Sequence, residues 1–220
     1  MTTMKNLKYH PDFNIPWCQD LLNSDNNNII SDSIEIPTQH RLRTADTDND
    51  NTPLHGKDAV SNSMFAQTLY TPSAIRAQIN FKRRTSEADS VNPWEYCSLL
   101  SLGSGLDGKT GRAHGGFNAL ILDQMTGSVA SMVSATTAPA TATLTVDYKA
   151  PIDTPGVVLC RGRAVSRQGR KTWVRATIED GQTGKVLASG KALFIDPKPT
   201  TTPTTTPDKS KSKSKSTSKL

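Results

Sequence analysis

The pattern of apolar and polar positions changes near residue 74. Residues 24–62 have almost no periodic apolar pattern and are rich in Asn, Asp, Ser, Thr and Pro, so we predict that they are mostly irregular or disordered. From residue 74 apolar side chains recur at every second position, the period of a half-buried strand. These alternating residues are Ile75, Ala77, Ile79 and Phe81.

The rest of the apolar pattern predicts one helix among strands. Residues 96–102 predict a second strand, and residues 116–133 combine high apolar density with the length of a buried helix. Four apolar runs separated by Pro- or Gly-containing breakers predict further strands at 141–150, 157–167, 172–179 and 186–195. We interpret these four strands as an antiparallel meander, which gives an α+β fold with a curved sheet wrapped around the helix.

The same pattern divides the chain into three parts. Residues 1–63 form an N-terminal extension with a short helix predicted near 15–22, and residues 64–196 form the folded domain, beginning with a second short helix. Residues 197–220 are rich in Thr, Pro, Lys and Ser and predict a disordered tail. The tail ends in Ser218-Lys219-Leu220, which matches the S-K-L peroxisomal address, so we expect an import receptor as a partner and a peroxisomal location.

Charge and composition bear on whether the protein binds nucleic acid, spans a membrane or is secreted. The formal net charge is +6 and the isoelectric point is about 9.3, which would suit a nucleic-acid-binding protein. Residues 198–220, however, hold six Lys and one Asp, so nearly all of the excess belongs to the tail and we expect no nucleic-acid partner. No stretch approaches the ~20 apolar residues of a membrane span, and the N-terminus has no secretory signal pattern.

The three cysteines, Cys18, Cys97 and Cys160, are widely spaced and odd in number. They form no C-x-x-C pair and have no His at zinc-ligand spacing. We predict reduced thiols in an intracellular protein, with no bound metal.

Residues 103–110, GSGLDGKT, satisfy the phosphate-binding pattern G-x-x-x-x-G-K-[ST]. A phosphate loop requires the Lys and Thr to open a helix, within alternating strands and helices that build a parallel sheet. Lys109 and Thr110 instead run into GRAHGG, and only antiparallel strands follow the next helix. We interpret the segment as a flexible glycine loop that leads to an active site.

A carboxylate interrupts the predicted buried helix. His114-Gly115-Gly116 precede the helix, and Asp123 follows nine residues after the His in an otherwise apolar run. A charge among apolar side chains costs several kcal/mol unless it is paired or used. Asp123 is therefore a candidate site residue, the alternative being a hydrogen-bonded core residue.

The segment HGGFNALILDQMTG resembles the HGG...D signature of the PaaI-like branch of hotdog-fold acyl-CoA thioesterases. Residues 98–108, 141–152 and 169–195 are similar to further blocks of this family in the same order. The leader IPWCQDLL resembles that of fungal relatives, which points to secondary-metabolite or toxin biosynthesis. The resemblance implies a hotdog fold and hydrolysis of a fatty-acyl or polyketide-type acyl-CoA to free acid and CoA, without a cofactor.

The resemblance also implies residue roles. Asp123 would be the catalytic carboxylate, either attacking the thioester carbonyl or activating water. Thr141 would be its hydroxyl partner, with Thr143 as a rival because the interval after Asp123 is two residues longer than in a close family member. Gly115 and Gly116 would offer backbone N–H groups to the oxyanion at the helix N-terminus.

The loop before the helix departs from the family. His114 matches the family's loop His, which we expect to shape the loop or assist the leaving group. Gly108 stands where some relatives have an Asn six residues before that His, so a side-chain donor to the oxyanion is missing. Gly108 therefore favours the alternative function, an acyl-CoA-binding or otherwise acyl-transforming hotdog protein that does not hydrolyse thioesters, whereas Asp123 and Thr141 favour hydrolysis.

Two further predictions concern the oligomeric state and the binding of CoA. In this family the active site resembles a cleft between two protomers whose sheets join, so we expect a homodimer or tetramer. A cationic cluster on one predicted strand and its turn is expected to contact the phosphates of CoA, the alternative being a solvated strand face. Its members are Arg161, Arg163, Arg167, Arg170 and Lys171.

Overall fold

The computed structural model describes residues 10–24, 27–29, 34–35, 63–134 and 139–198. The α-helices of these ranges are α1 (Pro16–Leu22) and α2 (Gly115–Val133), with a π-helical segment at Met64–Leu69 and short 3-10 helices at Pro11–Phe13 and Ser104–Leu106. The strands are β1 (Asn27–Ile29), β2 (Ile34–Glu35), β3 (Ile75–Arg84), β4 (Trp94–Leu102), β5 (Asp107–Lys109), β6 (Arg112–Ala113), β7 (Ala140–Tyr148), β8 (Gly156–Gln168), β9 (Lys171–Glu179) and β10 (Val186–Ile195). Both predicted short helices and all six predicted long strands are present, with ends shifted by one or two residues. The tail and most of residues 24–62 lie outside the described ranges.

One large antiparallel sheet carries the fold. Its strand order is β1-β3-β4-β8-β9-β10-β7, with β2 also paired to β3, while β5 and β6 form a separate hairpin. Helix α2 packs across β8, β9, β10 and β7. The predicted α+β class is confirmed, because a long helix held against one antiparallel sheet is the hotdog arrangement.

The predicted four-strand meander is wrong at one strand. Strands β8, β9 and β10 follow one another as neighbours, but β7 pairs with β10 and β8 pairs with β4. The segment between β7 and β8, residues 149–155, is therefore a crossover and not a hairpin turn. Strand β7 consequently lies at the end of the described sheet, with β10 as its neighbour.

Helix α2 lies close to the sheet because two strand positions have no side chain. A Cβ atom at Gly162 of β8 would lie 2.9 Å from Cγ2 of Val129, and one at Gly190 of β10 would lie 3.3 Å from Cβ of Leu122. The helix face turned to the sheet is apolar, and burying each large side chain on it stabilises the fold by about 1.5–3 kcal/mol. Its buried apolar members are Phe117, Ile121, Leu122, Met125, Val129 and Ala130.

The N-terminal segment covers the opposite face of the sheet. Phe13, Cys18 and Leu22 are buried against Phe81 of β3 and Leu99 of β4. This outer-face cluster is separate from the cluster under α2. The first residues that the structure describes therefore supply part of the core, although they lie in the predicted extension.

Candidate active site

The imidazole of His114 caps the N-terminus of α2. Its Nδ1 accepts a hydrogen bond from the backbone N–H of Gly116 at 2.9 Å, and its own backbone N–H donates to Leu106 at 2.8 Å. Because Nδ1 accepts, the proton of the neutral ring resides on Nε2. The exposed ring therefore presents an N–H donor beside the helix N-terminus.

The two glycines after His114 have different roles in this geometry. The N–H of Gly116 is occupied by the His114 cap in this structure, and its role toward the oxyanion stays a prediction. The N–H of Gly115 has no acceptor among the described residues, as is usual for the first residue of a helix. Gly115 therefore supplies a backbone donor at the positive end of the α2 dipole.

The glycine loop before α2 is packed against this cap. A Cβ atom at Gly108 would lie 2.9 Å from Cα of His114, so the close approach of the two backbones excludes a side chain at residue 108. The carboxylate of Asp107 holds the loop by accepting hydrogen bonds from the backbone N–H of Gly111 at 2.9 Å and from the hydroxyl of Thr154. The departure at Gly108 thus lies in a tightly packed strand of the β5–β6 hairpin.

Asp123 and Thr141 lie in contact although 18 residues separate them. The hydroxyl of Thr141, near the start of β7, donates to Oδ1 of Asp123 at 3.0 Å. Asp123 is half-buried at the margin of the packed helix face, and no other partner of its carboxylate is found in the described part of the chain. Its second oxygen, Oδ2, is therefore available to accept a hydrogen bond from a water molecule or to attack the carbonyl carbon of a substrate.

A β-bulge distinguishes Thr141 from Thr143. Phe194 of β10 pairs with Thr141 and Leu193 pairs with Thr143, so Ala142 is the extra residue of the bulge. Residues two apart on a regular strand share a face, but one inserted residue reverses this relation. Thr141 faces α2, whereas Thr143 lines a groove of about 270 Å³ on the outer face of the sheet.

Gly115 and Asp123 are far apart within one protomer. They are separated by eight helical residues, which corresponds to about 12 Å along the axis. A thioester group cannot contact both at this distance. The Gly115 N–H and the Asp123 carboxylate of one chain therefore lie in two separate half-sites.

Arg161 and Arg163, which we predicted to contact CoA, are paired with carboxylates of this chain, and their contact with CoA stays a prediction. Both side chains face away from α2, because Gly162 between them faces Val129. Arg161 pairs with the buried carboxylates of Glu95 at 3.0 Å and Glu179 at 3.4 Å. Burial disfavours the charge of Arg161, but the hydrogen bond and charge of Glu95 outweigh this and raise its pKa.

Arg163 is likewise engaged, at 2.9 Å from Asp89 and 3.4 Å from Glu87. The hydrogen bond from Arg163 lowers the pKa of Asp89. Carboxylates beside this strand thus pair with both guanidinium groups. The sequence alone did not show that these partners are nearby.

The other members of the cationic cluster lie near the C-terminal end of α2. Arg167 pairs with the carboxylate of Asp196 at 3.1 Å, and Arg170 donates to the carbonyl oxygen of Asp196 at 2.8 Å. Asp196 in turn accepts from Ser134, directly after the last turn of α2. Lys171 is exposed beside them, and a role of Arg170 and Lys171 in CoA binding stays a prediction.

The three cysteine thiols are not suited to act as nucleophiles. Burial raises the pKa of Cys18 and Cys97 to about 12 and also raises that of Cys160, so the three thiols are protonated at neutral pH and are poor nucleophiles.

Within the described ranges, no three His, Cys, Asp or Glu side chains are grouped as a metal site requires. No helix in these ranges is long and apolar enough to cross a bilayer.

Tyr148 is a residue at the site that sequence reasoning missed. Its hydroxyl donates to the carbonyl oxygen of Gly115 at 3.1 Å, and 57% of the residue is exposed. The only signal in the sequence is its place within the block TVDYKAPI, since a strand of the regular pattern does not indicate which side chain reaches the helix.

One family model matches part of the chain. Residues 110–187 match the family model of the thioesterase superfamily. This segment contains His114, Gly115, Asp123 and Thr141, and the similarity to that family extends over 78 of the 220 residues.

Curated relatives carry a thioesterase name. The chain is 38% identical over 107 residues to the mouse (Mus musculus) acyl-coenzyme A thioesterase THEM4, covering 47% of this chain and 45% of the relative. It is 32% identical over 123 residues to the frog (Xenopus laevis) protein of the same name, covering 51% and 54%. The chain thus spans about half the length of the curated relatives it matches.

Solved structures include a thioesterase superfamily protein that is 26% identical, with a TM-score of 0.45 and coverage of 53% of both chains.

Proposed function

We propose that this protein is an acyl-CoA thioesterase that hydrolyses a fatty-acyl or polyketide-type acyl-CoA to the free acid and CoA. The observation that carries the proposal is the contact between Thr141 and Asp123 on a helix whose N-terminus is capped by His114. The family match and the names of the curated relatives support the same reaction class. The fungal resemblance of the sequence supports a place in secondary-metabolite biosynthesis.

The proposed chemistry uses few groups. Water attacks the thioester carbon while Oδ2 of Asp123 accepts its proton, and Thr141 holds Oδ1 so that the carboxylate keeps its orientation. The N–H of Gly115 stabilises the oxyanion of the tetrahedral intermediate. Collapse of the intermediate breaks the C–S bond, and the CoA thiolate that leaves takes up the proton that Asp123 accepted, which restores the Asp123 carboxylate.

Direct attack by Asp123 is the other possible route, and isotope labelling distinguishes the two. In a single turnover in ¹⁸O-water, a general base leaves the Asp123 carboxylate unlabelled and the label enters the product acid. A nucleophilic carboxylate forms an anhydride, and its hydrolysis by water at the enzyme carbonyl puts the label into Asp123. Mass spectrometry of the peptide that contains Asp123 gives the answer.

We propose further that two protomers build each site. Within one chain the Gly115 donor and Asp123 are about 12 Å apart, so a second chain is needed to bring one of each to the same thioester. Strand β7 ends the described sheet, and an edge strand is a natural surface for association. A homodimer is therefore the smallest active unit in this proposal, and a tetramer would contain two such units.

The first experiment measures thiol release from short, long and aromatic acyl-CoAs by the wild type and Asp123→Asn. Asp147→Asn is the matched control, since Asp147 is an exposed carboxylate on β7. We expect Asp123→Asn to lose at least about 10³-fold in kcat, and Asp147→Asn to retain the wild-type rate. Equal rates for all three proteins would contradict the assigned role of Asp123.

One observation favours the alternative of an acyl-CoA-binding protein. The packing of Gly108 against His114 leaves no room for a side-chain donor to the oxyanion at residue 108. Saturable binding of acyl-CoA, measured by calorimetry, with no thiol release across the whole panel would support this alternative. Thiol release that depends on Asp123 would reject it.

A peroxisomal location remains a proposal from the tripeptide Ser218-Lys219-Leu220 alone. A fluorescent protein fused ahead of the chain should enter peroxisomes, and deletion of the three residues should leave it outside. The same distribution for both fusions would reject the proposal.

A further inference from the structure

Tyr148 closes a contact around the first peptide unit of α2. Its hydroxyl donates to the carbonyl oxygen of Gly115 at 3.1 Å. On the other side of the same peptide unit, the N–H of Gly116 donates to Nδ1 of His114 at 2.9 Å. The peptide between Gly115 and Gly116 is therefore held at both its oxygen and its nitrogen.

This peptide unit needs an external restraint. It joins two glycines, and glycine restricts the backbone less than any other residue. The ring of Tyr148 also lies against Gly115, since a Cβ atom there would be 3.5 Å from Cε1 of the ring. The N–H of Gly115, which is the unoccupied donor of the site, belongs to the preceding peptide unit, and the carbonyl oxygen of that unit, on His114, accepts from the backbone N–H of Asn118 at 3.2 Å. The Cα atom of Gly115 joins the two units, so Tyr148 acts on the donor by holding that Cα atom in place.

The anchor of Tyr148 is itself fixed. The backbone N–H groups of Lys149 and Ala150 both donate to the carbonyl oxygen of Leu187, at 2.9 and 3.0 Å. Tyr148 pairs with Ala188 on β10. The hydroxyl thus extends from the end of a strand held to the sheet, even though the residue is 57% exposed.

We infer that Tyr148 is a positioning residue that keeps the Gly115 N–H aimed at the thioester oxygen. This inference rests on the proposed thioesterase function. It assigns no proton transfer to Tyr148, which acts through the Gly115 carbonyl. Loss of the hydroxyl should therefore weaken stabilisation of the transition state more than binding of the substrate.

The test compares Tyr148→Phe with Tyr70→Phe, which removes the hydroxyl that bonds Gln78. For Tyr148→Phe we expect kcat to fall about tenfold, because a small misplacement of a donor is costly, while KM and the melting midpoint stay near wild type. For Tyr70→Phe we expect an unchanged kcat. Equal kcat values for wild type and Tyr148→Phe in an active enzyme would overturn the inference.

Hydrogen exchange provides a readout that does not depend on turnover. The Gly116 amide should exchange faster in Tyr148→Phe than in wild type by about threefold or more, and should be unchanged in Tyr70→Phe. Absence of turnover by the wild type would reject the proposed function, and the Gly116 exchange rate would then decide the role of Tyr148 alone. An unchanged exchange rate would overturn it.

Discussion

Single side chains determine the geometry of the proposed site. Thr141 and Thr143 are chemically identical and two positions apart, yet only Thr141 donates to Asp123. The difference arises from the bulge at Ala142, which turns the two hydroxyls to opposite faces of the sheet. The role of each threonine can therefore be tested separately.

We expect Thr141→Ala to lower kcat by about 10- to 100-fold, because the carboxylate of Asp123 loses the donor that orients it. Thr141→Ser keeps a hydroxyl and should recover most of the loss. Thr143→Ala is the matched control and should behave as wild type in steady-state thiol release. A larger loss in Thr143→Ala than in Thr141→Ala would place the hydroxyl partner at residue 143.

The Gly115 donor can be removed without disturbing the helix. Proline is tolerated at the first helical position, where it lacks only the N–H. His114, which precedes it, has φ −63° and ψ 137°, a conformation that suits a residue before proline. We expect Gly115→Pro to lower kcat by about 10²- to 10³-fold with an unchanged circular dichroism spectrum, and a wild-type kcat would exclude this N–H as an oxyanion donor.

The two faces of the large sheet have different roles. The face under α2 presents the site, whereas the outer face carries ion pairs and the N-terminal helix α1. A Cβ atom at Gly181, between β9 and β10, would lie 2.1 Å from the ring of Trp17, which shows how closely α1 is seated. The cationic strand positions belong to this outer face and contribute to stability.

We expect Arg161→Met to lower the free energy of unfolding by about 3–5 kcal/mol, because Glu179 would be left buried without a cation and Glu95 would keep only Arg83 as a partner. Arg175→Met is the control, since Arg175 and Asp89 form an exposed pair whose loss should leave the free energy of unfolding nearly unchanged. Urea unfolding measures both. The KM for acyl-CoA should be unchanged in Arg161→Met, and a large rise in KM at unchanged stability would return Arg161 to the CoA site.

Whether the Gly115 N–H and the Asp123 carboxylate meet in one site depends on how two protomers associate. In a mixed dimer of Gly115→Pro and Asp123→Asn chains, one of the two sites contains both native groups if each site is shared between chains. We expect tandem-tagged mixed dimers to recover about half of the wild-type activity. Mixed dimers of Thr141→Ala and Asp123→Asn are the control.

The control should show no such recovery, because Thr141 and Asp123 contact each other within one chain. Recovery in both mixtures, or in neither, would contradict a site shared between protomers. Light scattering on the wild type gives the number of chains in the assembly.

Much of the fold follows from local sequence patterns. Helix α2 was predicted within one residue at its N-terminus and strand β10 at both ends, because periodicity and Gly or Pro breakers act over a few residues. The position of β7 was predicted, but its neighbour was not. Strand order depends on contacts between residues distant in the chain, on which local periodicity carries no information.

The candidate site shows the same division. The sequence by itself determined that Asp123 lies on a helix whose start follows His114 and Gly115, nine and eight residues before it, since helix geometry converts spacing directly into position. Only the tertiary structure selected Thr141 over Thr143, gave Arg161 its buried carboxylates and brought Tyr148 to Gly115. Each of these three depends on which strands and helices pack together, and a bulge or a crossover changes the contacts without changing the local pattern.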